Sequence, residues 1–141
     1  MDKIVFLDHT ADVMYDAFGF TLEEAVENAA LALFSVTCHL ERLSGAKKMV
    51  RIKEQADSLE EVVIFALNDL VAESDSQELF FKEFKVERLR EENGAWHLEG
   101  VATGFDFTPE AGNTHVKSVT HHDTQVKEEN GKWRIRILLD I

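Results

Sequence analysis

From Val13 to Phe18 the chain alternates, with Val13, Tyr15 and Ala17 on one side and Met14, Asp16 and Phe18 on the other. A period of two predicts a strand, and the shortage of charge on either side predicts a mostly buried one. Gly19 breaks the pattern. Thr21-Leu22-Glu23-Glu24 then places a hydroxyl at a helix N-cap and a carboxylate three residues on, the arrangement of a capping box. Beyond it the period becomes helical. Leu22, Ala25, Val26, Ala29, Ala30 and Leu33 share one face, and Glu23, Glu27 and Asn28 take the other. The Ala-rich stripe suits close packing on a sheet. Glu23, Glu24 and Glu27 suit the positive end of the helix dipole, which gives them a structural reading.

The pattern then repeats. A turn at Leu43-Ser44-Gly45-Ala46 precedes a predicted strand from Lys48 to Lys53. Ser58-Leu59-Glu60-Glu61 starts a second capped helix, with Leu59, Val62, Val63, Ala66, Leu67 and Leu70 on one face, fading by Ser74-Asp75-Ser76. The two similar helix starts need no duplication, because shared capping chemistry explains them. After Phe80 the periodicity is that of strands. Phe84 and Val86 open one, Asn93-Gly94 turns it, and Trp96, Leu98 and Ala102 continue on the return. Phe105 to His115 reads as a loop, Val116 to Lys127 as a strand, Asn130-Gly131 as a turn, and Trp133 to Asp140 as the last strand. Trp96 and Trp133 each stand two residues past a turn glycine, which predicts similar cross-strand packing in two hairpins.

Strand, helix, strand, helix and then about four strands imply an α+β fold: a mixed, largely antiparallel sheet with two helices packed on it. A length of 141 residues fits a single domain over residues 1–141. Hydrophobic residues make up 45% and charged ones 30%, the balance of a globular chain. No apolar run reaches the roughly 18 residues of a membrane helix. Met1-Asp2-Lys3-Ile4 lacks the features of a signal peptide, so the expected location is cytoplasmic. Cys38, the one cysteine, lies in an apolar helix-like stretch and reads as a buried thiol rather than a nucleophile.

Charge narrows the function. A net charge of −12 repels a phosphate backbone and argues against autonomous RNA or DNA binding. It suits a basic partner, a site that holds cations, or simple solubility. No nucleophile elbow, phosphate-binding glycine loop, zinc spacing or EF-hand spacing is present.

The candidate chemistry sits at the two ends. Asp8-His9-Thr10-Ala11-Asp12 packs two carboxylates and an imidazole into five residues, and the last strand closes on Leu138-Leu139-Asp140-Ile141. A strand ending at Asp140 can lie beside the strand that starts near Asp12. Asp12, Asp140 and the main-chain carboxylate of Ile141 would then supply oxygen donors for a hard divalent cation. Asp8 is a possible further donor, and His9 could orient a carboxylate or favour a softer metal. The alternative is structural: Asp8 caps a turn, Asp12 takes backbone hydrogen bonds and Asp140 frays. His121 and His122 are neighbours, so a strand would turn them to opposite faces, one exposed and one half-buried. Lys117 shares a face with His115 in that reading and could meet a partner.

Three separated motifs resemble one family. Asp8-His9-Thr10-Ala11-Asp12-Val13, then Gly19-Phe20-Thr21-Leu22-Glu23-Glu24-Ala25 and Asn28-Ala29-Ala30, is similar to the N-terminal signature of the archeases. Val116-Lys117-Ser118-Val119-Thr120-His121-His122 resembles their Val-Lys-Ala-Val-Thr-Tyr-His strand, and Asp140-Ile141 their Asp-Ile terminus. The resemblance runs in order along the whole chain. It departs at Ser118 and His121, and the Phe107–His115 loop is short, without an Asp-Pro-x-x-His match, which displaces His115.

The resemblance implies an accessory protein, not an enzyme. It implies an activator of the RtcB-type tRNA-splicing ligase that promotes guanylylation of the ligase and its multiple turnover. tRNA would be met through the ligase, and GTP would be used by the ligase. It also implies a divalent metal, Ca²⁺ in crystals, on Asp12, Asp140 and Ile141, with Asp8, His9, Lys117 and His122 as outer or partner contacts. Two other readings stand beside it. One is a chaperone-like modulator of a tRNA-modifying enzyme such as a methyltransferase. The other is a small metal-dependent hydrolase acting alone through carboxylates such as Asp8 and Asp12.

Overall fold

The computed structural model describes residues 3–8 and 12–141. Those residues form β1 (Ile4–Leu7), β2 (Val13–Gly19), α1 (Leu22–Thr37), β3 (Lys48–Ala56), α2 (Leu59–Gln77), β4 (Leu79–Glu92), β5 (Ala95–Asp106), β6 (Ser118–Val119), β7 (Gln125–Glu129) and β8 (Lys132–Asp140). The α+β class is as the periodicity predicts. The strands, however, divide between two sheets, and every pairing is antiparallel. One sheet runs β1-β2-β8-β6, with β7 also pairing β8, and the other runs β3-β5-β4.

β2 and β8 form the middle of the five-stranded sheet, in register from Val13 opposite Leu139 to Gly19 opposite Trp133. Their alternation decides which face turns inward. Tyr15 and Ala17 of β2 are buried together with Ile135, Ile137 and Leu139 of β8. On the opposite face Asp16 pairs with Arg136, so a charged pair sits where the pattern reads as mostly apolar. The Asp16 carboxylate accepts two hydrogen bonds from the Arg136 guanidinium, at 2.8 and 2.9 Å, and Arg134 Nη1 lies 3.7 Å away. Asp16 is almost wholly buried, so this fork is its compensation for lost water.

Both helices lie between the sheets. α1 packs on β2 and β8 on one side and on β4 on the other, and α2 packs on β3, β4 and β5 as well as β6 and β7. This position explains why ten of the 16 residues of α1 are buried, rather than a single stripe. Its first turn carries the predicted cap, with Thr21 Oγ1 accepting from the Glu24 N–H. Gly19 is required just before it: a Cβ there would stand 2.4 Å from the backbone nitrogen of Ala25.

Polar atoms tie α1 to both layers. Tyr15, fully buried, donates its hydroxyl to the Ala29 carbonyl at 2.8 Å. Asn28, expected on the solvent face, is buried and donates to the Phe18 carbonyl at 2.7 Å. Glu27, expected to be solvated, accepts the Val86 N–H at 2.9 Å, beside the register shift between Val86 and Arg88 in β4. In a helix covered on two sides, the polar face must find partners in protein.

Other boundaries differ. β1 was not signalled by the pattern: it is short, and its two central residues, Val5 and Phe6, are exposed. Val116 to Lys127 is not one strand, because β6 ends at Val119 and β7 begins at Gln125, with Asp123 between them at a φ of 58°. α2 runs past the expected fading point to Gln77 and ends on Glu78 at a φ of 55°. Cys38 is buried, and burial pushes its thiol up to about 11, which fits an unreactive group. Trp96 and Trp133 both pack against the core from its margin.

The Asp16 fork gives a direct test. Asp16→Ala strands the Arg136 and Arg134 guanidinium groups without their shared acceptor. It should lower unfolding free energy by about 2–3 kcal/mol, read from urea denaturation. A loss near zero would mean that solvent already neutralises the pair.

Candidate metal centre at the end of the central strands

The β2–β8 ladder brings the candidate residues together. Its last pair is Val13 with Leu139, so Asp12 and Asp140 flank one end of the same ladder. Continued by one step, this register sets them opposite each other, where antiparallel partners lie about 4.5–5.5 Å apart between Cα atoms. Asp12 and Asp140 are both half-buried, and Ile141 is exposed. Thus two of the predicted donors flank the last pair of one ladder, and the third follows at once in sequence.

Asp140 is held from its other side by β6. The Lys117 N–H donates to the Asp140 carbonyl at 2.8 Å, Ser118 pairs with Asp140, and the Thr120 N–H donates to the Leu138 carbonyl at 2.9 Å. α2 in turn pins β6. Asn68 donates to the Val119 carbonyl at 2.9 Å and accepts the Val119 N–H at 2.8 Å. One side-chain amide therefore satisfies both polar groups of a residue in a two-residue strand. Asn68 was not among the sequence candidates. The available signal was an amide in mid-helix, next to the apolar Leu67, where such a residue lowers helix propensity unless it has a partner elsewhere.

The remaining candidates scatter. Asp8 is exposed just past β1, and His9 lies outside the described residues. Lys117 is exposed and joins the site through its backbone. The expected face shared by Lys117 and His115 is absent, because residues 113–117 are not in a strand. His115 pairs instead with Asp75 at the end of α2, at 3.5 Å. His121 and His122 are both exposed, which corrects the expectation that one is half-buried: neither is in a strand. His121 packs edge-on to Phe65, and the His122 N–H donates to Thr120 Oγ1.

Among the described residues, no three His, Cys, Asp or Glu side chains converge to hold a metal. Of the expected donors, this end gathers the side-chain carboxylates of Asp12 and Asp140, with Ile141 next in sequence. Carboxylates are hard oxygen donors, which fit Ca²⁺ or Mg²⁺ and disfavour a thiol- or imidazole-seeking metal.

A second acidic group lies on α2, with Asp69 close to Glu54 of β3 and to Glu73. Burial pushes the Asp69 carboxyl up to about 7, helped by a hydrogen bond to Glu54 and by the charges of Glu54 and Glu73. It belongs to the helix–sheet packing.

Residues 5–141 match the model of the Archease protein family (MTH1598/TM1083). The protein archease of Methanosarcina mazei is 34% identical over 141 residues, covering 99% of this chain and 96% of that protein. The protein archease of Sulfolobus acidocaldarius is 35% identical, covering 100% of both. Among solved structures, protein 1598 of Methanobacterium thermoautotrophicum superposes with a TM-score of 0.83 at 29% identity, covering 100% of both chains. An archease from Thermotoga maritima, described as a possible chaperone, shares the fold with a TM-score of 0.59 at 18% identity, covering 96% of this chain and 94% of that one.

Two outcomes follow. Asn68→Ala leaves both Val119 groups without their partner, so stability should fall by about 1–3 kcal/mol. Amide hydrogen exchange at Lys117, Val119 and Thr120 should accelerate more than exchange in β3; uniform acceleration would contradict a local pin. Asp69 has a folded value near 7 against 3.8 unfolded, so its contribution to stability is lost as pH rises between those values. Asp69→Asn should therefore flatten the dependence of Tm on pH over that window. At pH 8 it should raise Tm by about 2–4 °C, allowing for solvent screening of a half-buried group.

Proposed function

The chain belongs to the archease family, and from this premise we propose that it is an accessory protein acting on a partner enzyme, the RtcB-type ligase that joins RNA ends in tRNA splicing. Its role is to promote guanylylation of the ligase so that each ligase molecule turns over repeatedly. The supporting observation is the β2–β8 ladder, which sets Asp12 and Asp140 at one end of a single strand pair.

In this reading Asp12, Asp140 and the main-chain carboxylate of Ile141 hold a divalent cation, Ca²⁺ or a similar hard ion. When bound, that ion supplies positive charge to neighbouring phosphate or carboxylate oxygens. Three protein carboxylates fill only part of the six to eight positions that Ca²⁺ takes. The open positions are where oxygens of the partner or of its nucleotide would enter. The chain's own residues fix the place of encounter: β6 pairs with Asp140 through Ser118, the Lys117 N–H just before β6 donates to the Asp140 carbonyl, and Asn68 braces β6. The exposed Lys117, His122 and Asp8 lie on segments near this end and are the contacts proposed for the partner. The net charge of −12 favours a basic partner surface over bare RNA, so tRNA is reached through the ligase.

The experiment is RNA ligation with limiting RtcB-type ligase, GTP and Mn²⁺. The wild-type chain should carry product well beyond one equivalent per ligase. Asp12→Ala should cut that stimulation by roughly tenfold or more while leaving the thermal melt nearly unchanged, because the residue lies at a ladder end rather than in the core. Absence of stimulation overturns the ligase assignment. Full stimulation by Asp12→Ala overturns the metal and leaves a purely surface-mediated role.

A further inference from the structure

A cavity of ≈ 230 Å³ opens between the C-terminal turns of α1 and α2 and the loop that precedes β6. It exceeds the roughly 150 Å³ that accepts a benzene ring. Phe34, Leu70, Phe80, Phe107 and Val116 supply apolar wall. The Phe80 and Phe107 rings lie 4.3 Å apart and tilted, and Phe107 is 38% exposed, so an aromatic surface faces the opening.

The polar lining is one-sided. None of the described lining residues is Lys or Arg. Thr37 and Ser74 hydroxyls are committed to the Phe34 and Leu79 carbonyls. Asn113 and Thr114 add neutral polar side chains, and the one carboxylate among the described lining residues is Asp75 at the rim, with His115 as its neighbour at 3.5 Å. Both helices end here, and neither carries a basic residue in its last turn, so their negative dipole ends add to the charge of Asp75. A phosphate or carboxylate ligand would meet Asp75 and both helix C-termini, with the His115 imidazole, already paired to Asp75, as its one ionisable partner in the lining. A cation would gain from Asp75, from two helix termini and from the phenyl faces.

We infer that this cavity is a binding site for a small organic cation with an aromatic body, of the arylalkylamine class. Its ring fills the space between Phe34, Leu70 and Phe80, and its ammonium group displaces His115 as the partner of Asp75. The lining includes neither Asp12 nor Asp140, although it runs up to Val116, next to the Lys117 that bonds the Asp140 carbonyl, and the inference does not depend on the ligase reading.

The test is an amide NMR titration of the full chain with naphthylmethylamine, set against naphthylacetic acid and the neutral naphthylmethanol. The amine should shift the signals of Val71, Phe107 and residues 112–116, with binding about tenfold tighter than that of the acid. Asp75→Asn, at an exposed helix end, should weaken the amine about fivefold and leave the alcohol unchanged. Phe107→Ala should weaken all the probes it lets bind. Equal binding of amine and acid, amine binding indifferent to Asp75→Asn, or no response to the amine at millimolar concentration would each overturn the assignment. The titration uses the protein alone, so it stands or falls apart from any effect on ligation.

Discussion

The antiparallel pairing of β2 with β8 is the constraint on which the rest depends. Seven residue pairs run from Val13–Leu139 to Gly19–Trp133, joining segments more than a hundred residues apart in sequence. One register then does two things. It points Tyr15, Ala17, Ile135, Ile137 and Leu139 into the core, and it leaves Asp12 and Asp140 at the same end. A slip by one residue would turn Ile135, Ile137 and Leu139 outward, so the core itself enforces the meeting of the carboxylates. The Asp16–Arg136 fork, formed between directly opposed residues of this register, adds a polar tie on the other face.

Layering explains the remaining structure. Two helices between two sheets leave little solvent for the polar residues of α1, and Tyr15, Asn28 and Glu27 each become a tie between layers. α2 acts in the same way at its inner face, where Asn68 holds β6 and β6 holds the end of β8. The candidate centre is thus positioned by a short chain of contacts, from helix to edge strand to central strand, rather than by a loop. Rigid elements hold ligand oxygens more closely than loops do.

Local patterns carried much of this architecture. Both capping boxes, the alternation of β2 and the Asn-Gly turns at Asn93 and Asn130 operate over a few residues, and each is found where the periodicity puts it. The division into two sheets was not legible, because which strands pair is settled by distant contacts. β1 was missed because Val5 and Phe6 are exposed on a four-residue strand, which has no buried alternation to betray it. The stretch after Val116 broke into two strands because the chain bends at residues 120–124, with a left-handed Asp123 that pattern alone does not mark. For the site, the motif named Asp12 and Asp140, and their proximity then rested on a strand pairing that sequence permits without requiring. Asp16 and Asn68 escaped notice for a shared reason: each is a polar residue whose partner lies 51 or more positions away.

The central claim is that this register pools carboxylate oxygens into a seat for a hard cation. Calorimetric titration of the metal-free chain with Ca²⁺ tests it most directly. The account predicts a single saturable site that is lost in Asp140→Ala, a variant whose backbone bonds to β6 remain available. Calcium binding of equal strength in that variant, or no saturable binding in the wild-type chain, would contradict it.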